Sequence, residues 1–137
     1  MKILLKGPNE VAKHAAWIIS YCVEQHPELI QPYLSQIIRL LRTHNLPDAI
    51  KRNVMRLLQF IDIPEKFHAQ VLALGFQYLT DNRESIAVQV FSITVIHKIA
   101  RNHPEIIREL KTILQDLIPY KSAAFISRAR RVLTSKN

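Results

Sequence analysis

The sequence predicts an all-α fold, a right-handed α-α superhelix of about three and a half helix pairs, or seven helices. The chain of 137 residues has only two glycines, and no run alternates apolar and polar residues over a strand length between turn residues. Apolar residues instead recur at helical spacing between nearly every pair of its seven prolines. Two similar segments, QHPELI at 25–30 and NHPEII at 102–107, indicate a repeated unit. The length fits one domain over 1–137.

The first predicted repeat, 10–44, consists of two helices. The helix over 10–25 has one apolar stripe, formed by Val11, Ala15, Ile18, Ile19 and Cys22. Pro27 suits the first turn of the second helix, which runs to about residue 42. Its stripe consists of Ile30, Leu34, Ile37, Ile38 and Leu41. Trp17 lies among alanines and isoleucines, so we expect both Trp17 and Cys22 to be buried.

The second predicted repeat, 48–80, follows the same plan. Asp48 is an N-cap or first-turn acid for a helix whose stripe consists of Ile50, Val54, Leu57, Leu58 and Ile61. Pro64 begins the partner helix, whose apolar residues are Phe67, Val71, Leu74 and Tyr78. Both helices are therefore predicted to bury one face.

The third predicted repeat, 84–118, is followed by a terminal helix over 121–134. Glu84 opens a helix that is apolar on almost every side, so this helix must be covered on both flanks. Pro104 opens the partner helix, with the stripe Ile107, Leu110, Leu114 and Leu117. The terminal helix places Phe125, Ile126, Ala129, Val132 and Leu133 on one face and basic residues on the other.

The spacing of equivalent residues measures the repeat. The prolines that open the second helices, Pro27, Pro64 and Pro104, stand 37 and 40 residues apart. The acids that open the first helices, Glu10, Asp48 and Glu84, stand 38 and 36 residues apart. A period just under forty residues with two helices per unit is the register of HEAT-like solenoids. The two HPE segments are then equivalent elbows, at which the histidine before proline ends one helix.

Three segments carry a resemblance to a known family: AKHAAWIISYC, IAVQVFSITVIHKIA and SAAFISRARRVL. Together they resemble small HEAT-like repeat proteins of the ARM-type fold from Bacteroidetes-type bacteria, over nearly the whole chain from Val11 to Leu133. Members of this group are generally uncharacterised, and some carry the label adenylosuccinate lyase. Lyases of that kind are much longer and use a flexible serine loop together with a catalytic histidine. The sequence contains no glycine-flanked serine loop of that kind.

Charged residues near the start of the first helices suggest a ladder between neighbouring repeats. The pattern resembles that of HEAT repeats, which have an acid near the start of the first helix and a basic residue about one turn later. The predicted ladder consists of Glu10, Lys13, Asp48, Arg52, Glu84 and Arg128. Val88 replaces the basic residue in the third repeat. These charges are expected to hold the repeats in register rather than to bind a ligand.

The charge balance is basic, with 19 Lys and Arg against 11 Asp and Glu and a formal net charge of +8. This excess is compatible with an anionic partner, but its spread along the chain favours a solvated, mildly basic surface. The N-terminal MKILLK is too short for a signal peptide or a membrane span. The sequence therefore predicts a cytoplasmic protein that does not enter a membrane.

No residue pattern predicts catalysis, a metal or a cofactor. The six histidines lack partners at metal-ligand spacing, and His26 and His103 sit before prolines as helix-ending residues. Glu105 and Glu109 are flanked by basic residues, as on a solvated helix face. Gly7 and Gly75 are isolated, so there is no phosphate-binding glycine loop. We therefore expect a protein that is not an enzyme and has no cofactor.

The favoured interpretation is an interaction module that binds a protein or peptide partner through the concave surface of its second helices. The candidate binding residues there are Arg39, Arg42, Lys66, Gln70, Arg108 and Lys111. An alternative is a nucleic-acid or phosphate-binding protein with a basic concave face. The lyase is a weaker alternative that depends on the family label alone. The first and last helices lack neighbours, so they could support a weak homo-oligomer, and MKILLK is expected either to cover one of these end faces or to mediate self-association.

Overall fold

The computed structural model describes residues 1–7 and 9–135. Within them the chain forms eight α-helices, four 3₁₀ segments and no strand. The α-helices are α1 (Lys2–Lys6), α2 (Asn9–Gln25), α3 (Leu34–Leu41), α4 (Asp48–Leu58), α5 (His68–Thr80), α6 (Ile86–Ile99), α7 (Pro104–Leu117) and α8 (Ala123–Leu133). The 3₁₀ segments are Pro27–Tyr33, Glu65–Phe67, Ala100–Asn102 and Ile118–Tyr120. The all-α prediction is confirmed, with one helix more than the seven expected.

The chain divides into two compact units, Met1–Val71 and Leu72–Asn137. Unit 1 holds α1 to α4 and the first turn of α5, and unit 2 holds the rest of α5 with α6 to α8. The boundary falls inside the predicted second repeat, 48–80. The description of 1–137 as a single domain of repeats stays a prediction.

The additional helix is α1, which MKILLK forms at the start of unit 1. It packs against α2 and α3, and its Leu4 side chain is buried. A helix of five residues has no stability of its own, so this packing is what maintains it. Of the two roles considered for MKILLK, the structure therefore favours covering its neighbours.

In unit 1, α2 packs mainly against α4. The face of α2 that is buried consists of Ala12, Ala16, Ser20 and Val23. Ser20 Oγ lies 3.1 Å from Asn53 Oδ1 on α4, and both residues are buried. Asn53 Nδ2 also donates to the Ala49 carbonyl oxygen at 2.9 Å, so the buried amide is satisfied. The two helices thus meet through small and polar side chains.

The predicted orientation of α2 is wrong. Val11, Ile18 and Cys22, expected in the core, are exposed, and so is Trp17. The prediction assumed that the largest apolar residues mark the buried stripe. Close contact with α4 instead requires small side chains, which leaves the large residues on the outside. The other predicted stripes of unit 1 are buried as expected, at positions Ile30, Leu34, Ile37, Ile38, Leu41, Ile50, Val54, Leu57, Leu58 and Ile61.

The two HPE segments do form equivalent elbows. The residue before each proline leaves the helical region in the same way, with φ −136° and ψ 74° at His26 and φ −128° and ψ 84° at His103. The helices that follow differ, because α7 begins at once whereas residues 27–33 form a 3₁₀ segment. Pro32 explains the difference, since it removes a backbone donor and disfavours the α conformation of its predecessor.

Unit 2 is built around α6, which packs against α7 and α8. The buried cluster consists of Leu79, Val90, Ile93, Ile96, Leu110, Leu114, Phe125, Ala129 and Val132. Ser85 caps α6 by accepting a hydrogen bond from the Val88 backbone at 3.4 Å. Gly75 lets α5 approach α6 closely, because a Cβ there would lie 2.8 Å from Cγ1 of Ile96. The apolar α6 is therefore largely buried, as the sequence predicts.

Gln89 is a buried polar residue in unit 2 that joins three segments. Its Nε2 donates to the Asp81 carbonyl oxygen at 3.0 Å, after the end of α5. Its Oε1 accepts from Lys121 Nζ at 3.2 Å, just before α8. Lys121 also contacts Asn82 Oδ1 at 3.4 Å. This network positions the start of α8 relative to α6.

Candidate functional site

The predicted partner-binding residues fall in both units. Arg39 and Arg42 lie on α3 and at its C-terminal end, Lys66 lies in the 3₁₀ segment before α5 and Gln70 in the first turn of α5, and all four are exposed in unit 1. In unit 2, Arg108 is exposed on α7 and Lys111 is half-buried. Lys111 Nζ donates to the Ser135 carbonyl oxygen at 3.1 Å, which gives it a structural role. That these residues share one concave surface stays a prediction.

Arg39 does line a shallow groove of about 250 Å³ between α1 and α3. Its other lining residues are Leu5, Lys6, Gln36, Leu40 and Thr43. The groove mixes aliphatic carbon with two basic groups. It could accept a short acidic segment, but it contains no aromatic anchor.

The predicted ladder residues form different contacts. Lys13 pairs with Glu10 at 3.1 Å, and Arg52 pairs with Asp48 at 3.5 Å, in each case within one helix. Burial and, to a lesser extent, the nearby negative charge of Glu84 raise the pKa of Tyr78 to about 12. That these residues form a ladder between repeats stays a prediction.

Two arginines connect the first helices of neighbouring predicted repeats, namely Arg56, which the predicted ladder omits, and Arg128, which it includes. In unit 1, Arg56 of α4 pairs with Glu24 of α2 at 2.8 Å. In unit 2, Arg128 of α8 donates to the Thr94 hydroxyl of α6. Arg56 and Arg128 stand 72 residues apart, which is close to two repeats of the predicted period. That spacing was visible in the sequence and could have identified Arg56.

The main exposed apolar surface lies on α2. We define the α2 face as Val11, Trp17, Ile18, Tyr21 and Cys22. Trp17 is 54% exposed, Ile18 52%, and Val11 and Tyr21 47% each. A contiguous patch of large, exposed apolar side chains marks a contact surface more often than single exposed apolar residues do.

Contacts with Arg56 of α4 hold the aromatic part of the α2 face in place. Trp17 and Tyr21 form an edge-to-face pair with ring centroids 5.4 Å apart. The Arg56 guanidinium lies 4.1 Å from the centroid of the Tyr21 ring and 5.1 Å from that of Phe60. Its ion pair with Glu24 fixes the guanidinium, which in turn limits the rotamers open to Tyr21. The Tyr21 ring is therefore preorganised while its outer side remains open to solvent.

A groove of about 370 Å³ runs along this face toward the C-terminal end of α2. It is lined by Trp17, Ile18, Tyr21, Cys22, Gln25 and His26. The two polar residues lie at one end, where His26 Nδ1 is 3.7 Å from Glu28 Oε1. The rest of the groove is apolar and suits an apolar side chain.

A second open surface lies on α8 in unit 2. A shallow depression of about 560 Å³ is lined by Ala123, Ile126, Ser127, Arg130, Arg131 and Thr134. No acidic residue follows Asp116 in the sequence. A third arginine, Arg128, lies near this surface, and burial together with the positive charge of Arg131 lowers its pKa. This surface favours an anionic group.

Two histidines, His68 and His97, contact other groups within the fold. His68 Nε2 lies 2.7 Å from the Ile63 carbonyl oxygen. His97 Nε2 lies 3.3 Å from Ser135 Oγ, and burial together with Arg101 and Lys111 lowers its pKa. In residues 1–7 and 9–135, no group of three His, Cys, Asp or Glu side chains could hold a metal ion. Over the same residues, no helix has the length and apolar character needed to cross a membrane.

Comparison with known proteins identifies one family. Residues 2–136 match the HEAT repeat domain, which is nearly the whole chain. No curated protein and no solved structure matches the chain. The prediction of a HEAT-like repeat protein is confirmed by this match. The chain belongs to the HEAT repeat family.

Proposed function

We propose that this protein is a non-catalytic HEAT-repeat module that binds a protein or peptide partner through the α2 face. HEAT repeats generally mediate protein interactions, which supports the general class. The choice of the α2 face depends on one observation, the exposed pair of Trp17 and Tyr21, whose Tyr21 ring is held by Arg56. Trp, Tyr and Arg are the residue types that most often dominate the energy of protein interfaces.

The groove beside these aromatic rings supports the same proposal. Its apolar lining would receive an aliphatic or aromatic side chain of the partner, and Gln25 and His26 would meet a polar group at its end. Because Tyr21 is already held by Arg56, little side-chain entropy is lost on binding. This surface differs from the concave second-helix surface that the sequence favours.

A capture experiment with matched variants tests the proposal. Trp17→Gln removes the indole but keeps good helix propensity, and Tyr120→Gln removes an aromatic ring that is 84% exposed in unit 2. Proteins from an extract of the source cells should be retained by the unmodified protein and by Tyr120→Gln, and lost with Trp17→Gln. Retention of the same proteins by all three would contradict a role for the α2 face.

Nucleic-acid or phosphate binding is the second candidate function, at the basic α8 surface. The observation that favours it is the depression beside Arg130 and Arg131, in a segment without acidic residues. Phosphate contacts make affinity fall steeply with salt. Binding to short duplex DNA at low salt that weakens with added salt, and is lost in Arg130→Gln/Arg131→Gln, would support it. Absence of binding at low salt would refute it.

The lyase alternative keeps only its family label as support. The HEAT repeat family is generally non-catalytic. Fumarate release by the purified protein would revive this alternative, and complete inactivity would remove it.

A further inference from the structure

Five of the exposed residues of α2 follow a coiled-coil spacing. Val11, His14, Ile18, Tyr21 and Gln25 are separated by three, four, three and four residues, and all five are exposed. This is the a and d pattern with which one helix packs lengthwise against another. We call these five residues the α2 seam. The side of α2 that faces α4 consists of other residues, so the seam is additional to the contacts within unit 1.

The α2 seam carries no formal charge when His14 is neutral. The nearest acids on α2 are already paired, Glu10 with Lys13 at 3.1 Å and Glu24 with Arg56 at 2.8 Å. The whole chain, in contrast, has a net charge of +8. Two copies repel each other wherever basic surfaces meet, but they can approach through a neutral seam without opposing like charges.

We propose that the occupant of the α2 seam is a second copy of this chain, packed about a two-fold axis with α2 against α2. This inference rests on the proposed protein-binding function of the α2 face and names its partner. Ile18 lies at the middle of the seam, seven residues from Val11 and from Gln25. In a two-fold contact centred there, Ile18 therefore meets its own counterpart, whether the helices run parallel or antiparallel.

The available area predicts a reversible dimer. Val11, Ile18 and Tyr21 of the seam each expose about half of their surface, and so does Trp17, which lies beside the seam in the α2 face. At roughly 100 Å² apiece, these side chains in two copies offer on the order of 800 Å² of apolar surface, which is below the range of stable specific interfaces, from about 1,200 Å² in total, and suits a weak, transient contact. Dimerisation should therefore depend on protein concentration in the micromolar range or above. Added salt should strengthen it, because salt screens the repulsion between two basic chains.

Sedimentation velocity of the full chain over this concentration range tests the inference. The unmodified protein should shift from 15.9 kDa toward twice that mass, and Ile18→Lys should remain monomeric. Tyr120→Lys, which adds the same charge at a highly exposed aromatic position of unit 2, should dimerise like the unmodified protein. A dimer that Ile18→Lys leaves intact, or a monomer at every concentration, would overturn the inference.

A cross-linking arm keeps the test decisive if Ile18→Lys disturbs α2. In a Cys22→Ser background, Ile18→Cys should form a disulfide-linked dimer under mild oxidation, and Ser35→Cys, exposed on α3, should not. No cross-link at Ile18→Cys, or an equal yield at Ser35→Cys, would overturn the second copy as occupant. If the chain stays monomeric while Trp17→Gln still loses captured proteins, the proposed function stands and the seam has a different partner.

Discussion

Replacing Arg56 with alanine is expected to lower the free energy of unfolding by about 3 kcal/mol. The side chain is 17% exposed, and its Nη2 donates to Glu24 Oε1 at 2.8 Å. A hydrogen bond between charged groups in such a setting contributes roughly 1.5–3 kcal/mol. The guanidinium stacked 4.1 Å above the Tyr21 ring adds roughly 0.5–1 kcal/mol. In the variant, the Glu24 side chain, which is 32% exposed, can bind water in place of Arg56. The expected loss therefore lies near the middle of the summed ranges rather than at their upper end.

A matched control lies one turn earlier on the same helix. Arg52 pairs with Asp48 at 3.5 Å, and both side chains are nearly half exposed. Replacing Arg52 with alanine should therefore cost less than about 0.5 kcal/mol. Urea unfolding followed by circular dichroism measures both variants under the same conditions.

A double-mutant cycle isolates the ion pair. Glu24→Gln, Arg56→Ala and the double variant should give a coupling free energy of about 1–2 kcal/mol. Arg56→Lys should recover only part of the loss, because an ammonium cannot stack on Tyr21 as a planar guanidinium does. The reasoning is refuted if Arg56→Ala costs no more than Arg52→Ala, or if the cycle shows no coupling.

Three further predictions concern packing and titration. Ala16→Leu should destabilise unit 1 by roughly 1–3 kcal/mol, because its site on α2 is 1% exposed; an unchanged urea midpoint would contradict this. His97 has a pKa below its ordinary value of 6.5, so the folded state favours the neutral imidazole. Its contribution to the free energy of unfolding should be fully present above about pH 6.5 and should fall as the pH drops. His97→Gln should make stability depend less on pH in that range. Tyr78 has a pKa raised from 10.0 to about 12, so its stabilising contribution should be lost between those values as the pH rises. Ultraviolet titration should show that Tyr78→Phe removes the last tyrosine to ionise.

Much of the fold could be predicted where one face of a helix is apolar and the other polar. α7 spans the predicted start at Pro104 and the last predicted stripe residue, Leu117. The stripe of α4 from Ile50 to Leu58 is buried as expected. In such helices hydrophobic burial decides orientation, and the sequence pattern reports it directly.

The prediction fails where packing, rather than hydrophobicity, decides. α2 turns its small residues toward its neighbour, with Ala16 buried and Trp17 exposed, because α4 approaches closely there. α1 exists only through its contacts, so five residues of sequence could not reveal it. The 3₁₀ segment around Pro32 follows from a local rule that an apolar stripe obscures.

The candidate site was missed for the same reason. Trp17 and Cys22 were expected in the core, so the surface that they form could not be considered. The polar candidates, such as Arg39 and Arg108, were chosen for their place on second helices, and they are exposed as that choice requires. The heptad spacing from Val11 to Gln25 was present in the sequence, but spacing alone does not distinguish a buried stripe from an exposed helix face.

The fluorescence of Trp17 tests the central claim most directly, because it is the only tryptophan in the chain and lies in the α2 face. The measurement is acrylamide quenching and emission wavelength as the protein is concentrated and as a captured partner is added. An exposed indole should be readily quenched in dilute protein, and association should shift its emission to the blue and reduce quenching. An indole already protected in the dilute monomer, or one equally open in every complex, would contradict the proposal that the α2 face binds protein.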